Sequence, residues 1–120
     1  MADDRPVLVL ISADPRVSHR ANEAMRIGLG LVAGENEVVF VLQGPGVHLL
    51  DADTDDLVDG DDIAKFRASL RRLDVPFRLE AGDIPATPDW NSDGHPIRRL
   101  NRADLISLVR DARRLFVFPP

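Results

Sequence analysis

Apolar residues along this chain follow two patterns: short continuous runs, and longer stretches where they recur every three or four positions. The continuous runs are Val7 to Ser12 (VLVLIS) and Glu37 to Gln43 (EVVFVLQ), with a shorter one at Leu115 to Phe118, and Phe77 to Glu80 gives a short third strand. Runs rich in Val, Leu and Ile suit parallel strands covered on both faces. Ile97 to Leu100 reads as a further short strand. Between the first two runs, Ala21, Ala24, Met25, Gly28, Leu31 and Val32 recur at helical spacing within Val17 to Val32. Asp14-Pro15 offers a cap and a first-turn residue for that helix, and Gly34 is placed to end it. Gly28 and Gly30 each cost a helix interior about 1 kcal/mol relative to Ala, so close packing of an Ala21, Ala24, Gly28 face on the sheet is the expected compensation.

A second helix is expected after Asp61 or Asp62 as cap, with Ile63, Phe66, Leu70 and Leu73 on one side. Ala81 to Pro96 contains three prolines and no helical period, which predicts a long loop. Asn101 with Asp104 has the form of a capping box and opens a third helix that buries Leu105, Leu108, Val109 and Ala112. Strands alternating with helices imply parallel pairing through right-handed crossovers. The expected architecture is one α/β domain over residues 1–120: three layers, α/β/α, around a mostly parallel sheet of about five strands. Ligands bind such sheets beyond the carboxyl ends of the strands. That rule nominates three corners: Ser12 to Asp14, Gln43 to His48, and Ala81 onward.

Composition narrows the chemistry. Fifteen basic against twenty acidic residues give a net charge of −5, so no basic footprint points to nucleic acid. The basic residues are arginine except for Lys65, which reads as a genomic composition bias. The absence of cysteine excludes disulfides, thiolate metal sites and a cysteine nucleophile. MADDRP does not have the form of a secretory signal, and no apolar run approaches the roughly 20 residues of a membrane span. A cytoplasmic protein with no membrane association is expected.

The candidate residues cluster around QGPGVHLL. Gly44-Pro45-Gly46 can cradle an anion with backbone N–H groups, but Pro45 removes one donor and no nucleotide-binding fingerprint is present. A tight turn that redirects the chain is favoured, and no cofactor is expected. His48, just after the turn, is the catalytic candidate because its charge can change near neutral pH; a hydrogen-bonded histidine under the rim is the plainer reading. Ser12, Asp14, Gln43, Gly44, Gly46, His48 and Ala81 are the ligand-binding candidates. Asp14 fits a helix cap better than a catalytic acid. DADTDDLVDGDD concentrates seven aspartates, but Asp56 stands where a calcium loop needs Gly. DWNSDGH matches the first half of a calcium-loop pattern at Asp89, Asn91, Asp93 and Gly94, then fails at Pro96 and Leu100. No metal is expected; an acidic loop and an Asx-rich turn are. Trp90 and His95 lie on the long loop, and Trp90 is placed to cover the pocket, enter a neighbouring subunit or cap the local core. His19 is expected to face solvent.

The order of these motifs resembles the DsrE-like family of small α/β proteins, which includes sulfur-relay subunits. The resemblance rests on the strand ending in ISADP, the helix RANEAMRIGLGLVAG, the stretch VVFVLQGPGVHLL and the final RADLISLVRDARRLFVF. It implies the fold above, a pocket at the strand ends, and a homo-oligomer, trimer or hexamer. Sulfur-relay members carry a cysteine on the loop after the third strand. The matching place, near Ala81-Gly82 in RLEAGDIPATPDW, has none, which excludes cysteine-dependent sulfur transfer for this chain alone. The leading expectation is a non-sulfurtransferase DsrE-like protein that binds a small ligand or regulates. The rivals are an enzyme using His48, with Asp14 or His95, on a small anionic or carbonyl substrate, and an assembly subunit for a cysteine-bearing partner.

Overall fold

A computed structural model describes residues 4–120. Its strands are β1 (Val7–Ile11), β2 (Val38–Leu42), β3 (Phe77–Glu80), β4 (Ile97–Leu100) and β5 (Arg114–Phe118). They form one five-stranded sheet in the order β4-β3-β2-β1-β5, with every pairing parallel. The helices are α1 (Arg20–Ala33), α2 (Gly60–Arg72) and α3 (Arg102–Asp111). From β1 the chain steps outward strand by strand to β4, and α3 then carries it back across the sheet to β5, beside β1.

Strand alternation sorts the core into two layers. Val9, Ile11, Phe40, Leu42, Phe77 and Leu79 point to one face, where Ala21, Ala24 and Met25 of α1 and Ile63 and Leu70 of α2 cover them. Leu8, Val39 and Val41 point to the other face, with Leu100 and with Leu105 of α3. Two helices thus cover one side and one covers the other, giving the expected α/β/α layering. The expected close approach of α1 is real: a Cβ on Gly28 would overlap the Phe40 ring, which is itself held edge-on against Phe77 at 5.6 Å.

Several local expectations are corrected. Asp14-Pro15 does not start α1. Residues 15–17 form a turn in which Val17 N–H and Ser18 N–H donate to Asp14 O, and α1 begins after His19. His19 is exposed, and its side chain makes no capping bond. Neither Asp61 nor Asp62 caps α2. Both lie in its first turn, where negative charge suits the helix dipole, and Asp59 precedes them in a left-handed conformation. Leu73 and Val109 are exposed instead of buried. Gly34 at the end of α1 and the reciprocal Asn101–Asp104 capping box of α3 stand where expected. No helix among the described residues is long and apolar enough to cross a membrane.

Gly28→Ala supplies a sharp check on this packing. Ala is ordinarily the better helix residue by about 1 kcal/mol. Overpacking against the buried Phe40 costs about 1–3 kcal/mol, so the variant is expected to unfold at lower urea than the parent. An increase in stability would show that α1 does not lie this close to β2.

Candidate functional site

The chain beyond β2 is more regular than a tight turn: Gly44–Leu50 forms a seven-residue 3₁₀ helix with Pro45 in its first turn. This segment is pressed against the end of β1. Gln43 N–H donates to Ile11 O at 2.9 Å, and a Cβ on Gly46 would overlap that same carbonyl oxygen. Glycine at position 46 therefore sets how closely the segment approaches the strand. Gly46 N–H is already committed to Gln43 O at 3.0 Å, which removes a second donor from the anion cradle that Pro45 had depleted. Nearby, Ser12 Oγ donates to Gln43 Oε1 at 3.3 Å, tying the ends of β1 and β2 together.

A 3₁₀ helix has three residues per turn, so side chains at i and i+3 eclipse. Here that places His48 directly over Asp51. His48 Nδ1 lies 3.0 Å from both Asp51 carboxylate oxygens. A ring nitrogen facing a carboxylate must carry the proton, which leaves Nε2 as the nitrogen open to another group. Arg16 completes the neighbourhood. Its guanidinium is bound to Asp14 by three hydrogen bonds of 2.9–3.3 Å, and the Asp51 charge also acts on it. The hydrogen bonds from Arg16 hold the Asp14 carboxyl below its ordinary range, with burial opposing and His48 contributing slightly.

The long loop folds over this cluster. Trp90 Nε1–H donates to Val47 O at 2.8 Å, Asn91 N–H to Leu50 O at 2.7 Å, and Ala52 N–H to Asp89 O at 2.9 Å. Arg67, nearly fully buried on α2, locks the other side: it donates to Asp51 O at 2.8 Å and to the Asp93 carboxylate at 2.6 Å. Burial lowers the Arg67 pKa, and Asp93 opposes that loss of charge. Between loop and 3₁₀ helix lies a groove of about 330 Å³, lined by Arg16, His48, Asp51, Asp53, Asp56, Asp89, Trp90 and their neighbours.

Among the expected site residues, only His48 lines this groove. Asp14 stands behind it through Arg16, while Ser12, Gln43 and Gly46 form the support beneath. Gly44 and Ala81 are exposed, and Ala81 opens a short 3₁₀ turn after β3. Asp51, Arg16 and Arg67 were not singled out from the sequence. The His48-x-x-Asp51 spacing was the available signal, readable only once a 3₁₀ helix is assumed. Trp90 both borders the groove and packs on the core. Among the described residues, no three His, Asp or Glu side chains converge as metal ligands. In the DWNSDGH segment a backbone turn runs from Asn91 O to Gly94 N–H, and the Asn91 side chain clasps His95, Oδ1 accepting from its N–H and Nδ2 donating to its O.

His95 cannot serve as a partner for His48. It is 2% exposed, stacked on Phe77 at 4.7 Å, and bonded through Nε2 to Val75 O at 3.0 Å, just before β3 begins. Its Nδ1 is buried without a partner among the described residues, as befits the neutral ring. Burial depresses its pKa, outweighing the Val75 carbonyl, and the Arg71 and Arg67 charges add to the effect.

The described architecture is that of a DsrE-like fold. It superposes on the crystal structure of the ychN protein from E. coli with a TM-score of 0.67 and 15% sequence identity. The match covers 95% of this chain and 99% of that one. No family model matches the chain, and no curated protein matches its sequence.

The buried His95 makes stability depend on pH. The unfolded chain binds its proton near the ordinary value of 6.5, whereas the folded chain binds it only at lower pH. The contribution is therefore complete above 6.5 and is lost progressively as pH falls toward the folded value. Between about pH 7 and pH 5.5, the urea midpoint of the parent should fall more steeply than that of His95→Gln. Parallel profiles would show that His95 is not held neutral.

Proposed function

We propose that this chain is a non-sulfurtransferase DsrE-like protein that binds a small ligand in the groove between His48, Asp51 and Trp90. The fold supplies the frame, with the groove beyond the carboxyl ends of β1 and β2, where sheets of this kind receive ligands. The observation that carries the reading is the His48–Asp51 pair. Asp51 orients the imidazole and leaves Nε2 for a ligand, at the edge of a cleft walled by an aromatic ring. Ser12, Gln43 and Gly46 support the segment that carries His48, and Asp14 positions Arg16. A cytoplasmic setting and a trimeric or hexameric assembly, as the family resemblance implies, belong to the same proposal.

The charge of the groove selects among ligands. Four carboxylates, Asp51, Asp53, Asp56 and Asp89, face two basic side chains, and Arg16 is already committed to Asp14. A phosphate or other dense anion is disfavoured by this balance. A compound that donates hydrogen bonds, such as an amine, and lays an apolar part against Trp90 and Pro85 fits it better. A second reading rests on the same pair: with Asp51 behind it, His48 can take and return a proton, as an acid–base catalyst does.

Trp90 is the sole tryptophan, so its emission reports on the groove directly. Titration with a panel of amines, nucleotides, inorganic phosphate and thiolated metabolites is expected to give a saturable response to an amine-bearing compound. His48→Ala and Asp51→Asn should each weaken that binding about tenfold or more, the scale of a lost charge-assisted hydrogen bond. No saturable response across the panel, or equal affinity in His48→Ala, would remove the support for this site.

A further inference from the structure

A second groove, of about 500 Å³, lies between α3 and the outer strands β3 and β4, on the face of the sheet opposite the one that Trp90 packs against. Register fixes which side chains form its floor. Arg78 pairs with Val41 of β2 on one side and with Arg98 of β4 on the other. Val41 belongs to the core cluster on the α3 face, as does Leu100, two residues beyond Arg98. Paired residues of a sheet share a face, so Arg78 and Arg98 both rise toward α3 from strands about 4.8 Å apart. Like charges set side by side in this way destabilise a sheet. A carboxylate between them would relieve the repulsion, yet the acids of this corner are turned to other partners. Glu80 pairs with Arg102 at 3.2 Å, Asp104 accepts from Asn101 N–H at 3.1 Å in the capping box, and Asp111 accepts from Arg110 Nε at 3.1 Å. Among the described residues, the guanidiniums of Arg78 and Arg98 have neither a hydrogen bond nor an ion pair.

We infer that this groove is an anion site whose ligand is a phosphomonoester carrying a small apolar body. The volume suits a small molecule. A carboxylate offers two oxygens, which a single guanidinium fork satisfies; two forks side by side call for the three free oxygens of a phosphate. Ser107 of α3 lines the groove as well and adds a hydroxyl. Pro6, Leu100 and Leu108 supply apolar surface for the rest of the ligand. Asp104 and Asp111, about one helical turn to either side of Ser107, also border the groove. They confine the anion to the arginine floor and disfavour a ligand with a second charged group, such as a polyphosphate. Bound phosphate removes the repulsion between Arg78 and Arg98, so the site gains from its ligand what the empty sheet loses. The two grooves thus select opposite charges: the one beside His48 is rich in carboxylates, and this one presents guanidiniums without partners.

Calorimetric titration of the full chain with phenyl phosphate, inorganic phosphate and benzoate, at constant ionic strength, tests this. Phenyl phosphate should bind saturably at one site per chain and more tightly than either of the others. Arg78→Gln and Arg98→Gln should each weaken it about tenfold or more, the scale of a lost charge-assisted hydrogen bond. Arg26→Gln removes the same charge from an exposed position on α1 and should leave binding unchanged. Arg98 is exposed, so its variant should keep the parent's circular dichroism spectrum even if the half-buried Arg78 proves necessary for folding. Trp90 emission should stay constant through the titration, because the indole packs on the other face of the sheet. Absence of binding, affinity that survives Arg98→Gln, or an equal loss in Arg26→Gln would each overturn the inference. So would benzoate binding as tightly as phenyl phosphate, or a Trp90 response in step with the heat, which would place the ligand beside His48.

Discussion

The candidate site depends on one close approach, that of Gly46 to the Ile11 carbonyl at the end of β1. No residue with a Cβ can occupy that position without displacing the segment. The contact seats a 3₁₀ helix on the end of the sheet, and the helix has the periodicity that stacks His48 on Asp51. Asp51 then becomes a junction. Its carboxylate holds His48, its carbonyl receives Arg67, and its backbone pairs with Trp90 in an isolated antiparallel bridge. The loop that follows β3 is thereby fastened over the cluster. One steric constraint in the backbone propagates through hydrogen bonds to the aromatic wall of the groove.

This explains how a loop of low regularity is held in place. Residues 81–96 have little helix or strand, yet their Trp90, Asn91, Asp93 and His95 all bond to other parts of the chain or to one another. Arg67 and His95 are the buried polar anchors, and each is arranged to suit its charge state. Arg67 has a carboxylate and a carbonyl to satisfy its charge, while His95 has a single carbonyl acceptor and an apolar ring beneath it, which suits the neutral form. Each anchor orders a further stretch of the segment, and the hydrogen bonds offset that entropy cost.

Much of the fold was legible in the sequence because its signals are local. The apolar runs at Val7 and Val38 reflect strands buried on both faces, and the Asn101–Asp104 box reflects a helix end that must satisfy its own N–H groups. The absence of cysteine is likewise read directly, and it removes thiolate chemistry from this chain's own side chains. The errors arose where a signal admits two local solutions. Asp14 satisfies backbone N–H groups equally well in a turn or at a helix start, and tertiary packing chose the turn. The glycine-proline corner read as a turn because seven-residue 3₁₀ helices are uncommon. Without that helix, nothing in HLLD announces a His–Asp pair, and nothing in the sequence sets Arg67 apart from the other arginines. Long-range partners such as Asp51 for Arg67 carry no sequence signal at all.

The account's central claim is that the Gly46-seated helix holds His48 on Asp51, with the second imidazole nitrogen left for a ligand. Nitrogen-15 spectroscopy of the labelled protein measures this directly, because the two ring nitrogens of neutral histidine resonate differently according to which bears the proton. The account predicts that neutral His48 carries its proton on Nδ1, shared with Asp51, and that Nε2 is unprotonated. A proton found on Nε2, the form favoured by a histidine free in water, would contradict it.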